Sequence, residues 1–168
     1  MTNLRNTEKS ENQVKEFLKS GPKLKRRVQV YEQKIQASPQ EVFHQLCPSR
    51  ECDWIKGWSA DLLYTTTGYA EADCIFKTTE KSEFGPGLWV FTVFELNKRL
   101  EIVRTVGDIA VLHLRITLSQ NTDGSTTGIW HLTYTALNEA GNGMVENLPD
   151  ESPEFRTAIN GLVQFLKN

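Results

Sequence analysis

Three cysteines in 168 residues are too few to staple a fold. Cys47, Cys52 and Cys74 cannot all pair, which fits free thiols in a reducing compartment and excludes a disulfide scaffold. Long apolar runs are also missing, since none approaches the ~20 residues that a membrane helix needs. The first twenty residues, MTNLRNTEKSENQVKEFLKS, lack the apolar stretch of a secretory signal. A cytoplasmic location with no membrane partner is therefore expected. Charge of one sign is not in excess, with 19 Lys/Arg against 21 Asp/Glu and a net charge of −2, which argues against a nucleic-acid binder. No G-x-S-x-G, H-E-x-x-H, P-loop or dinucleotide fingerprint occurs, so no catalytic constellation is recognisable and no cofactor is expected.

What is present is the composition of an ordinary globular domain, 39% hydrophobic, 10% aromatic and 24% charged. A chain of this length can bury roughly 70% of its unfolded surface around one core. Charge is unevenly spread. Residues 1–27 hold eight Lys/Arg and three Glu, a balance of +5 that leaves −7 for residues 28–168. The basic cluster Lys23, Lys25, Arg26 and Arg27 has no interleaved aromatics and reads as a solvated leader.

The leader contains one helix pattern. Ser10 and Gln13 have capping-box spacing, Val14, Phe17 and Leu18 share a face, and Gly21-Pro22 stops the run. That stripe is too small to stand alone and needs the body or another subunit to dock on. The segment 26–36 alternates as a strand, marked by Val28, Val30 and either Glu32 or Ile35, with its register open. Ser38 and Pro39 open a second helix with Val42, Phe43 and Leu46 on its inner face, and Pro48 ends it. A short helical turn over 50–56 follows. Strands are then expected at about 59–66, 72–80, 87–96, 99–106, 109–120 and 125–136, separated by Gly85-Pro86-Gly87, Asn97-Lys98, Gly107-Asp108 and Asp123-Gly124. Such short turns imply an antiparallel meander. Leu112, Leu114, Ile116 and Leu118 share one face, as do Trp130, Leu132, Tyr134 and Ala136. A weak turn is expected over 139–147. Ser152-Pro153 then starts a helix whose Phe155, Ile159, Leu162, Val163 and Leu166 form a stripe that only the sheet can cover.

With these elements in order, the chain resembles the SRPBCC superfamily, also called START-related or helix-grip proteins. The matching stretches are ASPQEVFHQLCPSRECDWIKGW at 37–58, AEADCIFKT at 70–78, WVFTVFE at 89–95, DGST at 123–126 and the ending LVQFLKN. They are similar to a bacterial group of that superfamily without a settled activity. The resemblance implies an α+β helix-grip fold: a curved antiparallel sheet of about seven strands wrapped around a C-terminal α-helix, with two short helices after the first strand. It also implies a deep, mostly apolar cavity. Residues 28–168 form this domain and residues 1–27 lie outside it as a basic extension. The superfamily includes lipid and hormone binders, polyketide cyclases and aromatases, oxygenase domains and chaperone activators, so membership implies a fold more than a function.

Candidate cavity residues are Trp58, Trp89, Phe91, Arg104, Trp130 and Tyr134. Bulky aromatics on concave strands supply apolar contact with optional polar handles, and they serve equally as core. Trp54 reads as a plug between the short helices and the sheet, while Trp58 reads as either a plug or a cavity wall. Arg104 shares parity with Leu100 and Ile102, which points its guanidinium inward. It then pairs with a carboxylate such as Glu71 or Asp73, snorkels outward, or leaves its charge to an anionic ligand. Glu51, Asp53 and Glu71 are the carboxylates nearest the expected cavity mouth. Glu51 and Glu71 could do acid–base work if desolvated, and helix capping or a pair with Arg50 explains Glu51 and Asp53 otherwise.

No metal site is expected. His113 and His131 fall nearly opposite one another on the outer faces of adjacent strands but lack a third ligand. The C-x4-C spacing of Cys47 and Cys52 suits neither zinc nor a redox pair, so both read as small buried residues. The function that follows is binding of a small hydrophobic or amphipathic molecule in an internal cavity, with Arg104 orienting its polar or acidic end. The alternatives are a cyclase- or aromatase-like enzyme using the same cavity by positioning alone, and an interaction module resembling chaperone activators. In the latter, the leader helix docks on a partner or on a second copy to give a homodimer.

Overall fold

Turn chemistry sets the topology. Tight turns at 97–98, 107–109 and 121–125, with Asn97, Gly107 and Gly124 in the left-handed region, force each strand back beside the one before it. The computed structural model describes residues 10–16, 19, 21, 23–81 and 84–167. Its strands are β1 (Arg26–Ile35), β2 (Ala60–Tyr64), β3 (Ile75–Thr78), β4 (Gly87–Glu95), β5 (Arg99–Val106), β6 (Ala110–Gln120) and β7 (Thr126–Ala136). They form one curved, seven-stranded antiparallel sheet in the order β1-β7-β6-β5-β4-β3-β2. After β1 the chain crosses to the far edge through α1 (Pro39–Gln45) and a 3-10 turn at Glu51–Asp53. It then meanders back until β7 pairs with β1. Helices α2 (Glu139–Glu146) and α3 (Pro153–Phe165) follow. The α+β class, the meander and the two short helical segments after β1 are as the sequence implies. The 139–147 segment is a full helix, not a weak turn.

The helix ends are fixed locally. Ser38 caps α1 by accepting from the Glu41 amide, while the Glu41 carboxylate accepts from the Ser38 amide at 2.8 Å. Ser152 caps α3 by accepting from the Phe155 amide at 3.1 Å, with Pro153 in the first turn. Along β6 every second residue from Ala110 to Leu118 is buried. In β4 the register slips between Phe91 and Val93, so Phe91 and Phe94 both reach the core, their rings 6.3 Å apart. Such a bulge adds twist, which helps the sheet curl over α3.

Three further expectations change. On β1 the buried residues are Gln29, Tyr31 and Ile35, while Val28 and Val30 stand exposed on the outer face. Polarity misled here because the Gln29 amide has partners inside. It donates to the Pro149 carbonyl at 2.6 Å and accepts from the Tyr31 hydroxyl at 3.3 Å, and that hydroxyl accepts from the Ser152 amide at 2.6 Å. β2 and β3 are shorter than expected because residues 65–71 fold on themselves, the Thr65 and Thr66 hydroxyls donating to Glu71. Cys52 is exposed, unlike Cys47 and Cys74.

Residues 10–16 are helical and exposed, Val14 included, while Phe17 and Leu18 lie outside the described residues. The end of the basic segment is tied to the body. Lys25 pairs with Glu146 at 2.5 Å, Arg27 with Asp150 at 2.6 Å, and the Lys25 amide donates to Asn142 at 2.7 Å. No described helix is long and apolar enough to cross a membrane.

Candidate functional site

The concave side of the sheet presents a row of inward residues at one end of the strands. Register places Trp89 beside Arg104, Arg104 beside Leu112, and Leu112 beside Tyr134. The next inward rows carry Ile102, Leu114, Leu132, Leu100, Ile116 and Trp130. Opposite them lies α3, which contributes Phe155, Ala158 and Ile159. Sheet and helix do not fill the space between them, and a cavity of about 80 Å³ remains. One water needs roughly 10–15 Å³ of such space, so the cavity is several waters large. Its floor is buried, whereas Glu51, Trp54, Trp58, Phe84, Ser152 and Phe155 are half-buried and make the rim.

The rim is held by side-chain to backbone bonds. The Trp54 indole donates to the Gln45 carbonyl at 3.1 Å, and that of Trp58 to the Pro48 carbonyl at 2.7 Å. Both tryptophans therefore pin the segment after α1, and both also line the cavity. The ring of Trp58 stands 6.3 Å from Phe84, which stands 6.4 Å from Phe155. On the floor, Phe76 stacks on Trp89 at 5.4 Å and 11°. α3 approaches closely because it carries Gly161 where a Cβ would collide with the Trp54 carbonyl.

Arg104 is only 8% exposed. Its guanidinium lies 4.9 Å from the Trp89 ring centre, and Nη2 donates to the Phe84 carbonyl, with those of Pro86 and Gly85 at 3.2 and 3.4 Å. The same loop is fastened by the Trp89 indole donating to the Thr78 hydroxyl at 3.0 Å, and that hydroxyl to Gly85 at 2.7 Å. Among the described residues no carboxylate pairs with Arg104, and its buried Nε has no partner. Neither alternative reading of this residue holds: it does not snorkel outward, and Glu71 is engaged in its own loop. Burial lowers the Arg104 pKa, against which the nearby Tyr134 phenol acts. Tyr134 is itself raised by burial, and its hydroxyl makes no hydrogen bond among the described residues.

Glu51 opens the 3-10 turn and lines the same cavity. Burial alone pushes its pKa up to about 8, so the carboxyl is largely protonated at neutral pH. Asp53 is exposed.

Five of the six candidates, Trp58, Trp89, Arg104, Trp130 and Tyr134, come together around the cavity. Phe91 does not, because it is buried among Phe76 and Phe94 in the core beside it. Phe84 escaped the sequence reading because it sits in a loop with no periodicity; its place beside Gly85-Pro86-Gly87, where the chain folds back over Arg104, was the available signal. The histidines do not face each other: His131 lies opposite Arg115, and His113 approaches the Glu101 carboxylate at 2.8 Å. Among the described residues no three His, Cys, Asp or Glu cluster to hold a metal.

A sheet curling over a terminal helix, with two short helical segments closing one end, is an architecture with known counterparts. The fold is helix-grip. The helix-grip counterparts include a point mutant of norcoclaurine synthase from Thalictrum flavum with a transition-state analogue, at a TM-score of 0.66 and 12% identity over 87% of this chain and 97% of that one. The same enzyme with dopamine and hydroxybenzaldehyde matches at 0.65 and 11%, over 86% and 88%. A protein from Rhizobium leguminosarum matches at 0.64 and 12%, over 86% and 96%. At such identities the likeness is one of helix-grip architecture alone. The sequence matches no protein-family model and no curated protein.

Proposed function

We propose that the protein binds a small hydrophobic or amphipathic molecule between the sheet and α3. The observation that carries this reading is the cavity itself: apolar on nearly every side, yet holding a buried guanidinium without a carboxylate partner among the described residues. The ligand's apolar body packs against Trp58, Trp89, Trp130 and Tyr134, and its polar or acidic end meets Arg104. Energetics supports the same reading. At ~24 cal/mol per Å³, an empty apolar space of about 80 Å³ forgoes on the order of 2 kcal/mol of packing, which a bound ligand restores. Phe91 contributes core stability and no ligand contact.

An enzymatic reading of the cyclase or aromatase kind draws on one further observation, the presence of Arg104, Tyr134 and Glu51 on one cavity wall and rim. Positioning a flexible substrate beside such groups accelerates an intramolecular closure. Native mass spectrometry of the protein purified gently from its own cells tests both. A copurified small molecule, released by denaturation, is expected; a carrier returns it unchanged and an enzyme converts it. A protein that arrives empty, and stays empty when incubated with extracts of its own cells, contradicts the proposal.

A further inference from the structure

The binding reading leaves Glu51 without a task. It lines the rim, and its carboxyl makes no hydrogen bond or ion pair among the described residues. The titratable and charged groups on the surrounding elements are Arg50, Cys52 and Asp53 on its own turn, and Cys47 just beyond α1, whose carbonyl accepts the Glu51 amide at 2.9 Å. Arg104 and Tyr134 stand on the sheet, and Glu151, Glu154 and Arg156 at the start of α3. The last three are occupied elsewhere, Arg156 with Glu151 at 2.7 Å and Glu154 with Ser152 at 2.8 Å. The Arg50 guanidinium lies 5.6 Å from the Tyr69 ring centre. Among the described residues the cavity therefore holds one cation without a carboxylate, Arg104, and one carboxyl without a partner, in a mostly apolar container.

We infer that the cavity is a proton-coupled site for organic monoanions, in which Arg104 takes the anionic group and Glu51, as a neutral acid, offers its O–H to a second, uncharged acceptor on the ligand. The inference rests on the ligand-binding reading and narrows it to one class: an apolar body with a carboxylate or similar anion, and a carbonyl or hydroxyl elsewhere on the molecule. The chemistry follows from charge. A guanidinium in an apolar enclosure is neutralised by one anion and no more. An ionised Glu51 would place a second negative charge in the same low-dielectric space and repel that anion. The bound anion in turn holds the proton on Glu51, because linkage between two sites is reciprocal. Burial already favours the neutral acid, with a pKa of about 8, so the coupling acts in the neutral to mildly alkaline range.

The test uses two small probes that share a ketone for Glu51 and differ at the head, the anion 4-oxopentanoate and the alcohol 5-hydroxypentan-2-one. Binding is read from the fluorescence of the protein, since Trp58, Trp89 and Trp130 line the cavity. At pH 6 the anion is expected to bind roughly tenfold or more tightly than the alcohol. Between pH 6 and 9.5, where the probe stays ionised, its affinity is expected to fall roughly tenfold while that of the alcohol holds steady. Glu51→Gln is expected to flatten the pH dependence, and Arg104→Met to abolish the preference for the anion. The wild-type pH series and Glu51→Gln stand on their own if Arg104→Met does not fold. An anion that binds no better than the alcohol, or whose pH dependence survives Glu51→Gln, overturns the inference and leaves the ligand-binding reading intact. Failure of both probes to bind overturns the inference, and the ligand-binding reading is then decided by the native mass spectrometry.

Discussion

A buried cation and a half-buried, desolvated acid in one apolar space are costly for a fold to carry, and each leaves a measurable trace. Glu51 has a folded pKa of about 8 against an ordinary value of 4.5, so the folded state holds a proton that the unfolded chain has released. Its contribution to stability is intact below about pH 4.5, declines as pH rises toward about 8, and is constant above that. Glu51→Gln is expected to remove this slope and to be more stable than wild type at pH 9, as read by urea denaturation across pH. Equal slopes in both proteins would contradict the enclosure of the carboxyl. Arg104 depends on Gly87. A Cβ there would stand 2.6 Å from the Arg104 Nε and 2.8 Å from the Thr105 carbonyl. Gly87→Ala is expected to cost ~1–3 kcal/mol through overpacking and to weaken anion binding with it. An unchanged unfolding midpoint and unchanged affinity would contradict the placement of the guanidinium.

At the scale of elements, α3 carries the roof of the cavity, and its approach to the 3-10 turn is set by Gly161. An exposed helix glycine replaced by alanine gains up to about 1 kcal/mol of helix propensity. Here the sign is expected to reverse, because the new methyl group meets the Trp54 carbonyl. Thermal unfolding of Gly161→Ala checks this, and a raised midpoint would contradict it. What was legible in the sequence was what short-range chemistry decides. Ser38-Pro39 and Ser152-Pro153 start helices, the Gly- and Asn-containing turns reverse the chain, and the alternation in β6 and β7 shows which face is inward. Long-range partners decided the rest. The facing of β1 follows from a carbonyl 120 residues away that receives the Gln29 amide. The inward direction of Arg104 could be read from strand parity, but its acceptors are loop carbonyls, which no side-chain pattern encodes. Glu51 could be placed near the cavity mouth by its position before Gly57. The cavity it lines depends on α3, about a hundred residues later.

For the whole molecule, the near-neutral charge conceals a division of labour. The end of the basic segment binds the acidic ground around α2 through Lys25–Glu146 and Arg27–Asp150, fastening β1 beside β7. These pairs are solvent-exposed and contribute little individually. Stability comes instead from the single core in which Trp130, Tyr31, Phe76 and Phe91 are almost wholly enclosed. That core is interrupted where the sheet and α3 part, and the account rests on the interruption being real and apolar. Xenon enters empty apolar cavities and shows there as strong density. In crystals pressurised with xenon, a peak is expected between the sheet and α3, bounded by Leu114, Trp130 and Ile159. The absence of a peak, with the Trp58 or Phe155 ring occupying that space, would contradict the account.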